Sequence, residues 1–455
     1  MLRCVLLLGG CLAASQSAGS TGAVLRMDVG TIGRAVSTAL NGSDVLQKLV
    51  EGERKKKANT KAIKGISGLK VMELCATEVA LQLLPGVGVS MAVLLRMTLV
   101  GKSFLGGPVE IPVAANLSAS SRMVWDVQGC PQLSTRHCHV ALLRSWANLP
   151  PRMLLLVMGK FLDSTLQKEL RGLLCSAMDM VLNLVNTKFA SMMYAIPLGN
   201  AGMLRYALLN PPMVGEAFIQ LELKAILRSK EGEEVALPAD LPPLTSLPPK
   251  REAATQLILA ASFLGAKLSI MQPDFGLNIT NGMVLGLLPL VTTTLGALIP
   301  EVSSILPPSE PVVIDMRETQ PPLVTITPEK STVHLFSTAK FWASSPGSAP
   351  RSLFILDVHS ELGARFAVAQ DRLQFSLVLH SLSHAAVVNS SIGAFNVLPL
   401  RGVLADIIHV AYVPSINRAL RGGVPLPPLL GTPYQHVELR LIQDGLVLDV
   451  PVAEP

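Results

Sequence analysis

The sequence is 455 residues long and carries a formal net charge of +6, with 15% charged, 4% aromatic and 49% hydrophobic residues. That length accommodates two domains, each able to bury a substantial core. Six cysteines are too few to staple such a chain, so aliphatic burial must stabilise it. The aliphatic excess leaves either a membrane protein or a soluble one whose extended apolar interior something must fill.

At the N-terminus, Arg3 precedes an apolar run from Val5 to Ala14 and small residues around Ser15, Ser17 and Ala18. This pattern is a secretory signal peptide, expected to occupy residues 1–18. An amphipathic helix is expected from about Gly30 to Val50, carrying Ile32, Val36, Leu40, Leu46 and Leu49. The densest basic run follows, Arg54, Lys55, Lys56 and Lys57, continued by Lys61, Lys64 and Lys70. It offers attraction to an anionic surface, or simply a solvated loop.

Alternation predicts strands at Val79–Leu83, Met91–Leu99, Val109–Val113 and Val140–Leu142. A long helix is expected from about Met153 to Met193. Leu154, Met158, Leu162, Leu166, Leu170, Leu174, Met178, Leu182 and Val185 recur at three or four residues and form one stripe. The proline-rich stretch from Leu237 to Pro249 reads as an extended connector, residues 236–252, between domains at 19–235 and 253–455.

In the second half a helix near Thr292–Leu306 precedes strands near Leu323–Thr327, Val333–Phe341, Leu353–His359, Phe366–Ala369 and Leu373–His380. A helix from about Phe395 to Leu420, bent at Pro414, and strands near Val437–Leu441 and Leu446–Val450 complete it. The order of elements repeats between the halves without repeated identity. Residues 1–250 carry net +9 and residues 251–455 net −3. The charge-free stretch between Asp274 and Glu301 holds Asn278, Thr280, Asn281 and Pro289, content a lipid-exposed helix rarely carries.

No catalytic motif is present: neither a Gly-x-Ser-x-Gly elbow nor a His-Glu-x-x-His zinc site occurs. Gly101-Lys102-Ser103 resembles the tail of a phosphate loop, but Arg96 stands where the earlier glycine belongs. On a strand, His137 and His139 face one side and Cys138 the other, so only two metal ligands converge. No catalytic residue, metal or cofactor is assigned, and the chain is read as non-enzymatic. Sequons at Asn41, Asn116, Asn278 and Asn389 fit passage through the secretory route. Beyond the signal peptide, Cys75, Cys130, Cys138 and Cys175 allow three two-bridge pairings, which spacing does not resolve.

Several segments carry a family resemblance: Ile63-Lys-Gly-Ile-Ser-Gly-Leu-Lys-Val71, Leu84-Pro-Gly-Val-Gly88, Gly101-Lys-Ser-Phe-Leu-Gly-Gly107 and Lys160-Phe-Leu-Asp-Ser-Thr-Leu166. Gly172-Leu-Leu-Cys175, Leu298-Ile-Pro-Glu-Val302, Ser352-Leu-Phe354 and Val424-Pro-Leu-Pro427 extend it over nearly the whole chain. The sequence resembles the BPI-fold family of bactericidal/permeability-increasing and lipopolysaccharide-binding proteins, which includes the PLUNC proteins. The resemblance implies an α+β boomerang of two domains, each a long helix wrapped by a twisted antiparallel sheet, joined by a central sheet. It implies an apolar groove in each domain for phospholipid tails, with Leu162, Leu166, Leu170 and Met178 as candidate lining. It implies a bridge from the long helix at Cys175 to a strand, for which Cys138 is the better match than Cys130.

The expected function is binding, or transfer, of phospholipid or a related amphiphile by a secreted or secretory-lumen glycoprotein. The alternative is an innate-defence protein binding lipopolysaccharide through Arg54, Lys55, Lys56, Lys57, Lys61 and Lys64. An anionic membrane surface is the further partner that run would meet, and no nucleic acid is expected. The C-terminal Val452-Ala-Glu-Pro455 lacks a retention tetrapeptide, so secretion is the default.

Overall fold

A computed structural model describes residues 21–41, 66–103, 108–126, 129–145, 156–235, 244, 247–284, 286–344 and 349–452. The first strand, β1 (Ala23–Asp28), is buried along its whole length. It feeds directly into α1 (Val29–Asn41), where the Asp28 carboxylate accepts the Gly30 amide at 2.9 Å and satisfies an otherwise unpaired helix N-terminus. One face of α1 buries Ile32, Ala35, Val36, Ala39 and Leu40. The expected continuation through Leu46 and Leu49 lies outside the described residues.

Four long strands follow: β2 (Ile66–Leu84), β3 (Gly88–Ser103), β4 (Pro108–Trp125) and β5 (Pro131–Ser145), in that spatial order. Strict alternation is clearest in β4, where every second residue from Val109 to Met123 is buried. The β2–β3 hairpin turns at Gly86, whose φ is +69°. At Gly88 a Cβ would sit 2.0 Å from the Ser121 carbonyl oxygen, so the backbones meet where no side chain fits. Register shifts at three places in β2 coil this edge strand.

The sheet packs on α2 (Leu156–Ser191), 36 residues long or roughly 54 Å. Its buried positions Leu166, Leu170, Leu174, Met178, Leu182 and Val185 are the sequence stripe, joined by Val181 and Phe189. Leu154 lies outside the described residues, as do the side chains of Met158 and Leu162.

The chain then enters a sheet of which the sequence reading gave only the last two strands, near Val437–Leu441 and Leu446–Val450. The short strands β6 (Ile196–Pro197), β7 (Gly202–Leu208) and β8 (Met213–Val214) precede β9 (Phe218–Ser229), β10 (Glu234–Val235) and β11 (Ala254–Ala260). These join β1 in a nine-stranded sheet that the chain's final strands complete. Strands β1 and β11 are buried on both faces, so the period of two that marks a half-exposed strand is absent.

Strand β11 feeds α3 (Ala261–Met271) just as β1 feeds α1. Beyond β12 (Leu277–Ile279), the helix expected at Thr292–Leu306 is two pieces, α4 (Thr292–Leu298) and α5 (Pro300–Ile305), because Pro300 cannot continue the ladder of α4. A six-stranded sheet contains β12, β13 (Val312–Ile326), β14 (Ser331–Ala343), β15 (Arg351–Ala369) and β16 (Arg372–Ser390).

The strand expected from Leu323 starts earlier, at Val312, and passes through Pro321-Pro322 by means of two register shifts. The two strands expected at Leu353–His359 and Phe366–Ala369 are one continuous β15. Gly363 carries the joint, since a Cβ there would lie 2.2 Å from the His380 imidazole.

The last helix is α6 (Leu398–Ile407), a π turn (Ile408–Tyr412) and α7 (Val413–Ala419). Pro414 was expected to bend it. The ladder widens in the turn before the proline, where an α-helical carbonyl would clash with its ring. Strand β17 (Val424–Pro425) pairs with β16, and β18 (Glu438–Ile442) and β19 (Gly445–Pro451) close the nine-stranded sheet in the order β18-β19-β11-β1-β9-β7-β6.

Each half therefore repeats strand, helix, four long strands and long helix, and both halves contribute strands to the central sheet. One face of that sheet buries Leu25, Leu221, Leu257 and Leu448, which are cross-strand neighbours. The opposite face carries Arg26, Gln220, Gln256 and Asp449, crossed by the end of the proline-rich stretch. There Leu244 and Leu247 pack on Val24, Ile258 and Val447. The fold is α+β, two helix-and-sheet domains joined by a central sheet.

Candidate functional site

Leu166, Leu170 and Met178 are at most 4% exposed and belong to one apolar cluster with the inward residues of β3 to β5. Methionines at 91, 97, 178 and 192 share this interior. Their unbranched, polarisable side chains repack at low cost. Beside α2 the structure joins Cys138 of β5 to Cys175, pinning strand to helix. Cys75 is exposed and Cys130 buried, and neither is bridged. Burial raises the Cys130 thiol pKa, and Asp126 adds to the effect.

In the second domain a partly open apolar cavity of about 20 Å³ lies between α4 and α6. Leu290, Leu295, Leu298, Phe341, Leu400 and Ile407 line it. Room for one water-sized probe is far less than an acyl chain needs, so occupation requires these side chains to move.

Deeper on the same strand face as Phe341 sits a polar cluster that sequence reasoning missed. Glu318 Oε1 accepts hydrogen bonds from the Tyr412 hydroxyl at 2.6 Å and the Ser337 hydroxyl at 2.7 Å. Its Oε2 is buried without a partner, as is the nearby strand's Ser360 Oγ. Burial raises the Glu318 pKa above the usual carboxylate value, against the pull of those donors. In sequence, Glu318 reads as one more charge before a double proline; it faces inward because it continues the alternation of Ile314 and Met316, one step before the first register shift.

The central sheet holds a second set of unexpected polar groups. Arg26 donates to Gln220 at 3.0 Å, Gln256 at 3.2 Å and the Pro248 carbonyl at 2.6 Å. Gln256 donates to Asp449 at 3.0 Å, and Arg440 grips the same carboxylate through two nitrogens at 3.1 and 2.6 Å. Lys250 bonds Asp28 at 2.7 Å. Every link crosses strands or reaches the connector, so the polar row ties the two halves together.

Among the sequons, Asn41, Asn278 and Asn389 are exposed, while Asn116 lies in mid-strand on β4 with its Oδ1 buried and unpartnered. The basic run Arg54, Lys55, Lys56, Lys57, Lys61 and Lys64 lies outside the described residues; Lys70 is exposed near the start of β2. His137 and His139 point away from α2 on β5, and Cys138 is consumed by its bridge. The Asp274–Glu301 stretch is a series of short helices and turns. No helix among the described residues is long and apolar enough to cross a membrane.

The N-terminal domain model of the LBP / BPI / CETP family matches residues 27–185, and the C-terminal domain model matches residues 199–453. Human BPI fold-containing family B member 6 is 36% identical over 99% of both chains. Bactericidal permeability-increasing protein of Sebastes schlegelii is 22% identical over 85% of this chain and 84% of that one. The crystal structure of lipopolysaccharide binding protein superposes with a TM-score of 0.57 at 19% identity, covering 95% of this chain and 99% of that one, a likeness of fold. With both domain models matched and that identity sustained end to end, the chain belongs to the LBP / BPI / CETP family.

Proposed function

We propose that the protein is a secreted, non-enzymatic binder of phospholipid-like amphiphiles, holding their acyl chains in the apolar interiors of its two domains. The observation that carries this reading is the continuous aliphatic cluster beneath α2, set in a chain whose two halves both match a family of lipid- and lipopolysaccharide-binding names. Burying one CH₂ contributes about 0.8 kcal/mol, so a partly enclosed chain is held firmly without specific polar contacts. Leu162, Leu166, Leu170 and Met178 are the proposed lining in the first domain. The cavity between α4 and α6 is the proposed mouth in the second, opened by displacement of Leu295 and Leu400.

The test is native mass spectrometry of protein secreted from cultured cells, followed by extraction and identification of what it carries. A phospholipid-class adduct, exchangeable for a fluorescent phosphatidylcholine, is expected. Bare protein that takes up no fluorescent lipid would overturn the reading. Transfer would appear as movement of that probe between donor and acceptor vesicles. N-terminal sequencing of the same material is expected to begin near Ser17 to Gly19.

A second reading, lipopolysaccharide binding in innate defence, draws on the fold shared with lipopolysaccharide binding protein and on the basic run Arg54–Lys64. It requires salt-sensitive binding that weakens when Lys55, Lys56 and Lys57 become glutamine.

A further inference from the structure

The outward face of the first domain carries a feature that acyl-chain binding does not use. An open, predominantly polar depression of about 460 Å³ lies over β3, β4 and β5. Ser90 and Ser120 are direct cross-strand partners, and so are Ser120 and His137, and Ser118 and His139. Three small hydroxyl side chains thus form the floor, with two imidazoles beside them on the edge strand. The Ser118 hydroxyl donates to the His139 carbonyl at 3.4 Å and helps fix that strand locally.

Two guanidiniums complete the lining, each brought there by an identifiable device. Pairing steps from Ser120–His137 to Ser121–Thr135, so Arg136 is the extra, unpaired residue of a bulge. Such a bulge re-aims its side chain out of the regular alternation. Arg171 lies one helical turn before Cys175 on α2, hence on the same side of the helix as the bridge. The Cys138–Cys175 bond fixes that turn against β5. Among the described residues, no aspartate or glutamate lines the depression. Both arginines are exposed, and cations from a strand and a helix line one concave spot with no described carboxylate among them.

We propose that this depression is a phosphate-binding site, its ligand either a free phosphate ion or the phosphate of an anionic lipid headgroup. The guanidinium fork matches a tetrahedral oxyanion with paired N–H donors, and the Ser90 and Ser120 hydroxyls supply neutral donors to the remaining oxygens. None of the residues lining the depression belongs to the basic run, which lies outside the described residues.

The test uses the full secreted protein and two probes. Inorganic phosphate is titrated calorimetrically, and phosphatidylcholine vesicles with and without phosphatidic acid are followed by flotation. Wild type is compared with the double variant R136Q/R171Q, with S120D, which sets a carboxylate between the cations while leaving both arginines in place, and with K330Q in the other domain. Losing charged hydrogen bonds is expected to weaken binding at least about tenfold in the first two variants and to leave K330Q unchanged. Loss confined to vesicles identifies a headgroup; loss confined to inorganic phosphate identifies the free ion; loss of both supports a site open to either. A wild type that binds neither probe, or variants that bind both undiminished with unchanged melting curves, would overturn the proposal. Uptake of fluorescent phosphatidylcholine from uncharged vesicles is measured in parallel and should survive R136Q/R171Q, which separates failure of this site from failure of the apolar interiors.

Discussion

Glu318 is a carboxyl group placed where its charge is unwelcome. Two hydroxyls donate to one oxygen and the other is buried without a hydrogen-bond partner, so burial outweighs the hydrogen bonds and holds the pKa above the usual carboxylate value. Tyr412 is affected by the same cluster, its phenol held protonated by burial and by the neighbouring carboxylate. A carboxyl whose folded pKa lies above its unfolded one binds more protons folded than unfolded. Stability is therefore intact below the ordinary value of 4.5 and falls as pH rises from there through the folded pKa. Glu318→Gln removes the titration, so its melting temperature should gain on wild type between pH 4 and pH 7. Thermal circular dichroism at both pH values checks this, and an unchanged or reversed gap would refute it. A fixed offset from the buried amide affects both pH values equally and does not enter the comparison.

The bridge between β5 and α2 acts on elements. It closes a loop of 37 residues by sequence separation, for which chain entropy alone gives about 4 kcal/mol, within the usual range of about 2–5 kcal/mol. Replacing both Cys138 and Cys175 by alanine should lower the urea midpoint by a corresponding amount, with the m-value preserved if the native sheet persists. The same bond positions Arg171, so the double alanine variant should also weaken inorganic phosphate binding. Unaltered phosphate affinity in a folded variant would mean that α2 is placed by its apolar face alone. Pairing of these cysteines was legible only through family likeness, since spacing allows three arrangements and only tertiary contact selects one. Long alternating strands and the long apolar stripe were legible directly, because each has one face in water and one in the core. The single helix expected through Pro300 and the strand expected to begin only at Leu323 were both corrected by the structure, because how the chain responds to a proline depends on what packs alongside.

Across the whole molecule, the central sheet is the joint between the halves, and its polar row is held by Asp449, which is 1% exposed. Asp449→Leu leaves the Gln256 amide without an acceptor and frees Arg440 to solvent. The expected cost is about 1–3 kcal/mol, with a lower and broader calorimetric transition as coupling between the halves weakens. A transition as sharp and as high as wild type would show that the apolar face of the sheet suffices. By itself the sequence determined the two-part plan, the half-buried strands, the long helix and the apolar character of the interiors, since those follow from local periodicity and composition. Tertiary structure alone decided which strands between residues 196 and 260 enter the central sheet, the capping of Glu318 by Tyr412 and Ser337, and the convergence of Arg136 and Arg171 on one depression. Strands buried on both faces lose their alternation, and side chains distant in sequence converge only when register, bulge and bridge place them together.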